Sequence, residues 1–415
     1  MSPSPRLAAL VAAVALLTIV VGPVIGGLAA VALGAAAVVD ALAVRGEPWV
    51  RRTLPPVLAR GVPAAFSVEA DPAGAGSVRV RQPLPPDLAA DPQEAPGGLE
   101  GTLVGRRRGR HLVAAPVLRR EGPLRLGRWD HRPGVETEVL VYPDLPAARR
   151  LALAVRRGRL RDPGPRPRGP LGLGTDFEAV RDYSPDDDIR QVNWAATLRT
   201  GRPMSNTYRV EQEREVMLLI DAGRLMTAPL SDATRLDVAV DAAVAVATVA
   251  DVLGDRCGVL AFDGSVRRHL PPRRGGGRAV VEAVFDLEPS MQEPDYELAF
   301  RTVAGAKRSL VMVFCDLVEE AAARPLADAV PVLARRHAVV VAGAEDSDLI
   351  ARTSEPPASV HDAYATAVAL DVLGARDRAA ALLERAGART LQAPARGLAA
   401  ACVQAYLREK SRARL

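Results

Sequence analysis

Lysine is almost missing from this 415-residue chain: only Lys307 and Lys410 occur, and arginine supplies the rest of the basic charge. With the abundance of Ala, Gly and Pro, that bias points to a GC-rich bacterial genome. Cysteine is scarce too. Cys257, Cys315 and Cys402 lie far apart in apolar surroundings. An odd, scattered set gives neither a disulfide framework nor a zinc motif. Packed thiols in a reducing compartment are expected instead. The five histidines, His111, His131, His269, His337 and His361, are isolated, and each reads as structural. No Gly-x-Ser-x-Gly elbow, Walker loop or His-Glu-x-x-His occurs, which leaves the commonest hydrolytic and nucleotide chemistries without a handle. What the chain has is 48% hydrophobic residues and a net charge of only +5. That content sustains real cores, and the length allows two or three domains.

From Leu7 to Val44 the chain is almost entirely apolar, and Asp40 is its one charge. A spanning helix needs roughly 20 apolar residues. Gly22-Pro23 divides the run, and such a pair marks a tight turn. Residues 1–46 therefore read as a transmembrane helical hairpin; a single tilted helix or an uncleaved signal anchor is the rival. Arg6 precedes the run, and Arg45, Arg51 and Arg52 follow it. Cytoplasmic flanks collect arginine, so both ends and the soluble part are expected inside the cell, on the inner membrane. Asp40 is expected near the interface, close to Arg45, rather than as a functional intramembrane carboxylate.

Residues 47–148 alternate in short segments, Ala65–Ala70, Ser77–Arg81, Gly101–Leu103, His111–Leu118 and Val135–Val141, between Pro/Gly turns. That spacing predicts a β-sandwich-like domain. Arg106, Arg107, Arg108 and Arg110 fit a hairpin tip that is solvated or touches anionic lipid headgroups. Residues 149–214 begin with a basic linker, helical at first and then stiffened by proline. No aromatic residues interleave with its arginines to stack bases, so nucleic acid is not an expected partner.

Residues 215–350 alternate strand and helix in the α/β doubly wound pattern. Val216–Ile220 and Ser309–Cys315 read as buried parallel strands, ending at Asp221 and Asp316. Ligands in such folds bind beyond the carboxyl ends of strands. A helical extension, with a short strand near Arg389–Leu391, is expected over 351–415.

The order of elements resembles a von Willebrand factor A domain. The resemblance implies a metal-ion-dependent adhesion site of Asp-x-Ser-x-Ser, a threonine and a later aspartate, a set that suits Mg²⁺. Here the aspartates are Asp221 and Asp316, but the serine positions are Gly223 and Leu225, and Thr227 and Thr234 are off register. The site reads as a degenerate remnant, with no cofactor expected and Asp221 capping the following turn.

The densest chemistry lies between these regions, in GLGTDFEAVRDYSPDDDIRQVNWAATLR. Gly172, Gly174, Phe177, Arg181, Tyr183, Pro185, Asp187, Asp188, Arg190, Asn193, Trp194, Arg199 and Gly201, continued by Tyr208, Glu211 and Glu213, resemble the signature of the bacterial "domain of unknown function 58" family. Asp186 departs from the family's usual glycine. The resemblance implies amino-terminal membrane helices, a β domain, an A-domain-like module, and MoxR-type AAA+ ATPases as neighbours and partners. It implies no reaction. The segment itself reads in two ways: a polar site of Asp187, Asp188, Arg181 and Arg190 for a cation or phosphate, or a strut and docking surface in which Phe177, Tyr183 and Trp194 bury ring area. The expectation is a non-enzymatic, membrane-anchored adaptor; the alternatives are a metal-dependent adhesion-type protein and a hydrolase using Asp187 and Asp188.

Overall fold

The computed structural model describes residues 2–70, 77–160, 176–185, 187–209, 214–230, 233–305, 307–316 and 320–411. They fold as two compact units, Met1–Asp144 and Leu145–Leu415.

The first unit opens with β1 (Ser2–Pro3), α1 (Pro5–Val21) and α2 (Pro23–Ala43). Eleven strands follow: β2 (Val50–Thr53), β3 (Val57–Ala59), β4 (Ala64–Ala70), β5 (Ser77–Arg81), β6 (Leu88–Asp91), β7 (Glu94–Pro96), β8 (Gly98–Gly105), β9 (Gly109–Val113), β10 (Val117–Glu121), β11 (Gly127–His131) and β12 (Thr137–Tyr142). Ser4 caps α1 by accepting the Leu7 N–H at 3.1 Å, and Pro5 takes the first helical position. Gly22, at φ +109°, ends that helix, and Pro23 begins the next. Large apolar side chains stay exposed along both helices, among them Leu16, Ile19, Val20, Val24, Leu28 and Val31. By length and composition α2, with 21 residues, can cross a bilayer; α1 is a shorter apolar helix of 17 residues.

Asp40 explains the lone charge in the apolar run. Its carboxylate is buried and accepts N–H bonds from Leu124 and Leu126 at 2.8 Å and from Gly127 at 2.9 Å. Ser4 bonds the same β10–β11 turn, its N–H to the Leu126 carbonyl and its hydroxyl to that of Arg125. The start of α1 and the end of α2 thus meet one turn of the β unit. A Cβ on Gly122 would sit 2.3 Å from the Asp40 carboxylate, so that approach requires glycine.

Three sheets share one apolar core, with Phe66, Val68, Leu99, Leu103, Leu118 and Val139 at its centre. Two expectations are corrected here. His111–Leu118 is not one strand but parts of β9 and β10. Arg106–Arg110 is not a hairpin tip: β8 pairs with β4 and β6, whereas β9 pairs with β12 in another sheet. The run is a crossover between sheets, and it buries Arg108.

The second unit begins with α3 (Leu145–Arg156), β13 (Asp176–Asp182), α4 (Trp194–Thr200) and β14 (Met204–Arg209). Then come β15 (Glu215–Asp221), the two-residue strands β16 (Pro229–Leu230) and β17 (Ala233–Thr234), α5 (Arg235–Val252), β18 (Arg256–Phe262), β19 (Val266–Arg273), α6 (Gly276–Val284) and α7 (Tyr296–Ala304). The chain finishes with β20 (Ser309–Phe314), α8 (Glu320–Ala334), β21 (Ala338–Glu345), α9 (Ser347–Ser354), α10 (Val360–Ala386), β22 (Arg389–Pro394) and α11 (Leu398–Ser411). One six-stranded sheet runs β19-β18-β15-β20-β21-β22, parallel except for the edge strand β19. The fold is mixed α/β. Val216 to Asp221 are all buried, as a strand covered on both faces requires. The helix α5 is buried nearly all round, and its Thr234–Asp237 capping box fixes where it starts. On the other face α7, α8 and α10 pack over Leu219, Leu260, Val311 and Val341. Residues 351–415 do not stand apart as a helical extension: β22 is the sixth strand of this sheet. After β15 the chain adds β18 on one side and later β20 on the other, so the strand order reverses between β15 and β20. That reversal is where ligand crevices form in open α/β sheets.

Candidate functional site

Asp221 and Asp316 both reach this reversal point. Asp221 is 1% exposed. Its Oδ1 accepts the Gly223 N–H at 2.7 Å, and its Oδ2 accepts the Tyr296 hydroxyl at 2.7 Å. Burial pushes its carboxyl pKa up to about 6, with the Gly223 N–H and the Tyr296 hydroxyl pulling it down. Asp316 faces two buried arginines, Arg235 with Nη1 at 3.0 Å and Arg376 with Nη2 at 3.7 Å. Arg235 also donates to the Ala344 carbonyl at 3.2 Å and to Asp346 at 3.4 Å. Burial raises the Asp316 pKa while both arginines oppose it, and burial lowers that of Arg235.

These residues do not fit Mg²⁺, which demands close to six oxygens in octahedral array. Both oxygens of Asp221 are already engaged, and a guanidinium lies against Asp316. A serine cannot replace Gly223 without movement, because its Cβ would meet the Gln292 carbonyl oxygen at 2.8 Å. Thr227 donates to the Arg224 carbonyl and Thr234 caps α5. The cavity beside Arg235, Cys315 and Asp316 measures about 10 Å³, no more than one water. Among the described residues no group of three or more His, Cys, Asp or Glu is placed to hold a metal. Sequence reading missed Arg235, Tyr296 and Arg376. Arg235 left one signal: a cation in the first turn of a helix opposes the helix dipole and asks for another reason.

The signature segment folds as an antiparallel ribbon of β13 and β14, bulged between Phe177 and Ala179. A 3-10 turn, Ile189–Gln191, and α4 connect the strands. Gly172, Gly174, Asp186, Glu211 and Glu213 lie outside the described residues. Phe177 pairs across the ribbon with Tyr208, and Arg190 lies in the 3-10 turn. Arg181 donates to Asp187, whose other oxygen accepts the Ser184 N–H at 2.9 Å. That N–H, and then Arg181, hold the Asp187 carboxyl below the usual range. The Tyr183 hydroxyl reaches the Asp187 carbonyl at 3.3 Å. Asn193 caps α4 through the Ala196 N–H and donates to Asn206 at 2.8 Å. Gly201, at φ +67°, closes the helix. Asp188 and Arg199 are exposed. These polar residues build the turn. The apolar ones face outward: Ile189 is 69%, Trp194 66% and Leu198 85% exposed. Trp194 therefore stays mostly exposed, against the strut expectation, because α4 turns that face away from the ribbon.

Residues 179–353 match the model of the family described as "Protein of unknown function DUF58". Over those residues the chain is similar to that family. The DUF58 match runs from Ala179 in β13 to Thr353 in α9, and so includes both clusters. An uncharacterized protein of Mycobacterium bovis and another of Mycobacterium tuberculosis are each 31% identical over 104 residues, 25% of this chain. The match covers 33% of each relative, so the chain spans about a third of their length. Among solved structures, a mutant of the SrpA adhesin of Streptococcus sanguinis aligns at 13% identity and a TM-score of 0.15, over 37% of this chain and 78% of that one. So low a score assigns no fold.

Proposed function

We propose that this protein is a membrane-anchored adaptor without chemistry of its own, and that its ribbon and α4 dock a protein partner. The observation that carries the reading is the exposed Ile189–Trp194–Leu198 face inside the family-matched segment. Tryptophan is among the residues most enriched in interface hot spots. The proposed partner is a MoxR-type AAA+ ATPase, as the signature's resemblance implies. The sheet is taken as von Willebrand factor A-like, in line with its antiparallel edge strand and helices on both faces. For the anchor, α1 and α2 are taken as two crossings. At about 1.5 Å per residue they measure about 26 and 32 Å, against a hydrocarbon core of about 30 Å. Their exposed apolar side chains support that, and the arginines at both ends favour cytoplasmic soluble units at the inner membrane.

The adhesion-type alternative would need the cation that Arg235 excludes. The hydrolase alternative would need a free Asp187, which Arg181 and the Ser184 N–H engage. The test is co-purification of the full chain from membranes in mild detergent. Wild type should retain the ATPase; Trp194→Ala and Leu198→Asp should lose it with thermal unfolding unchanged within about 0.5 kcal/mol. Retention by both variants, or no ATPase with wild type, ends the proposal.

A further inference from the structure

The amino ends of three neighbouring parallel strands carry a basic cavity that docking does not use. Arg308 precedes β20, His337 precedes β21 and Arg389 opens β22, and the sheet order sets them side by side. Arg335 and Arg336 join them from the turn after α8, with Glu409 of α11 opposite. The cavity they line measures about 510 Å³, inside the range of ligand pockets. The Ser309 hydroxyl and His337 Nδ1 lie 2.8 Å apart and tie two of the strand starts together.

The charges do not cancel. Arg389 pairs with the buried Glu409. Among the described residues Arg308, Arg335 and Arg336 have no ion pair. Arginines after a helix commonly answer its terminal carbonyls, but those carbonyls have other donors here. The Leu333 carbonyl at the end of α8 accepts the N–H groups of Arg336 and His337 at 3.0 and 2.8 Å. At the end of α10, Gly387 and Ala388 serve Glu384 and Leu383 at 3.1 Å. Arg308, Arg335 and Arg336 therefore line one cavity, exposed and with no ion-pair partner among the described residues.

We propose that this cavity binds a small anion carrying two or more phosphate groups. Guanidinium forks match phosphate oxygens two at a time, and three forks offer more donors than a single phosphate uses. No Phe, Tyr or Trp lines the cavity, and the ring of its one histidine, His337, is buried and held by the Ser309 hydroxyl, so recognition rests on the phosphates themselves. Free and lipid-linked phosphates share this chemistry. The proposal is independent of the docking face.

The experiment is calorimetric titration of the full chain in neutral detergent with sodium pyrophosphate. Saturable binding is expected, at least tenfold weaker in Arg335→Ala/Arg336→Ala. The Arg335→Lys/Arg336→Lys pair, which keeps charge but loses the fork, should fall between that variant and wild type. Arg278→Ala, an exposed arginine on α6 paired with Glu282, is the control and should bind as wild type does. Circular dichroism melts confirm that each variant is folded. Displacement of pyrophosphate by phosphatidic acid added to the micelles assigns a lipid source; no displacement assigns a soluble one. Absence of saturable binding at millimolar pyrophosphate, or an equal loss in Arg278→Ala, overturns the proposal.

Discussion

Removing the Asp40 carboxylate should unfasten the paired apolar helices from the β unit. Three N–H groups end on it, and those of Leu126 and Gly127 are fully buried. A buried donor left without an acceptor costs about 1–3 kcal/mol, so Asp40→Ala should cost about 2–6 kcal/mol from that pair alone. Asparagine keeps one carbonyl oxygen and can serve only part of the set, so Asp40→Asn should fall between. The readout is amide hydrogen exchange of the full chain in micelles. At about 1.4 kcal/mol per tenfold, a loss of about 2 kcal/mol means exchange at Leu126 and Gly127 about thirtyfold faster in Asp40→Ala. Gly122→Ala should reproduce the effect from the other side, because its Cβ would fall 2.3 Å from the carboxylate. Wild-type exchange rates in Asp40→Ala would refute the reasoning and return Asp40 to a solvated interfacial charge.

Three further outcomes are expected. A carboxyl whose pKa rises on folding holds its proton more tightly when folded, so its stabilisation is full below pH 3.8 and is lost as pH climbs to about 6; for Asp221 that is about 3 kcal/mol, and Asp221→Asn should flatten this part of the stability–pH curve in urea titrations. Arg235→Ala should destabilise the second unit by about 3–5 kcal/mol in denaturant melts, because Asp316 keeps only Arg376, at 3.7 Å; Arg235→Ala melting like wild type contradicts the pairing. Cys257, Cys315 and Cys402 are all buried, and burial raises all three thiol pKa values, that of Cys402 to about 12; mass spectrometry should find them unalkylated by iodoacetamide until the chain is unfolded.

The sheet was legible where a local pattern decided it. Val216–Ile220 and Ser309–Phe314 are short apolar runs, each followed by an aspartate or nearly so, and both became central strands. Asp263-Gly264, a residue pair that favours tight hairpin turns, lies between the antiparallel strands β18 and β19. What sequence did not show was set by distant partners. The run from Arg106 to Arg110 has the charge of a loop tip, yet β9 pairs with β12, far along the chain, which makes the run a crossover. Arg389–Leu391 reads as a short strand within a helical extension, but nothing local names β21 as its neighbour. At the candidate site, Asp221 and Asp316 were found from their positions at strand ends. Arg235 was not, because it meets Asp316 across 81 residues of chain. Trp194 shows the opposite failure: tryptophan ordinarily buries much of its ring, and no local pattern announces that α4 presents it to solvent.

Arg235 has a consequence for how the protein meets its environment. A metal ion in such a crevice comes and goes with its concentration in the cell, and a chelator can strip it. A guanidinium on α5 is tethered by the chain, keeps its charge across the physiological pH range, and cannot be diluted away. The strand-end crevice is therefore permanently loaded with its cation from the moment the unit folds. Magnesium starvation, chelation and competing divalent ions therefore have nothing to exchange at that crevice.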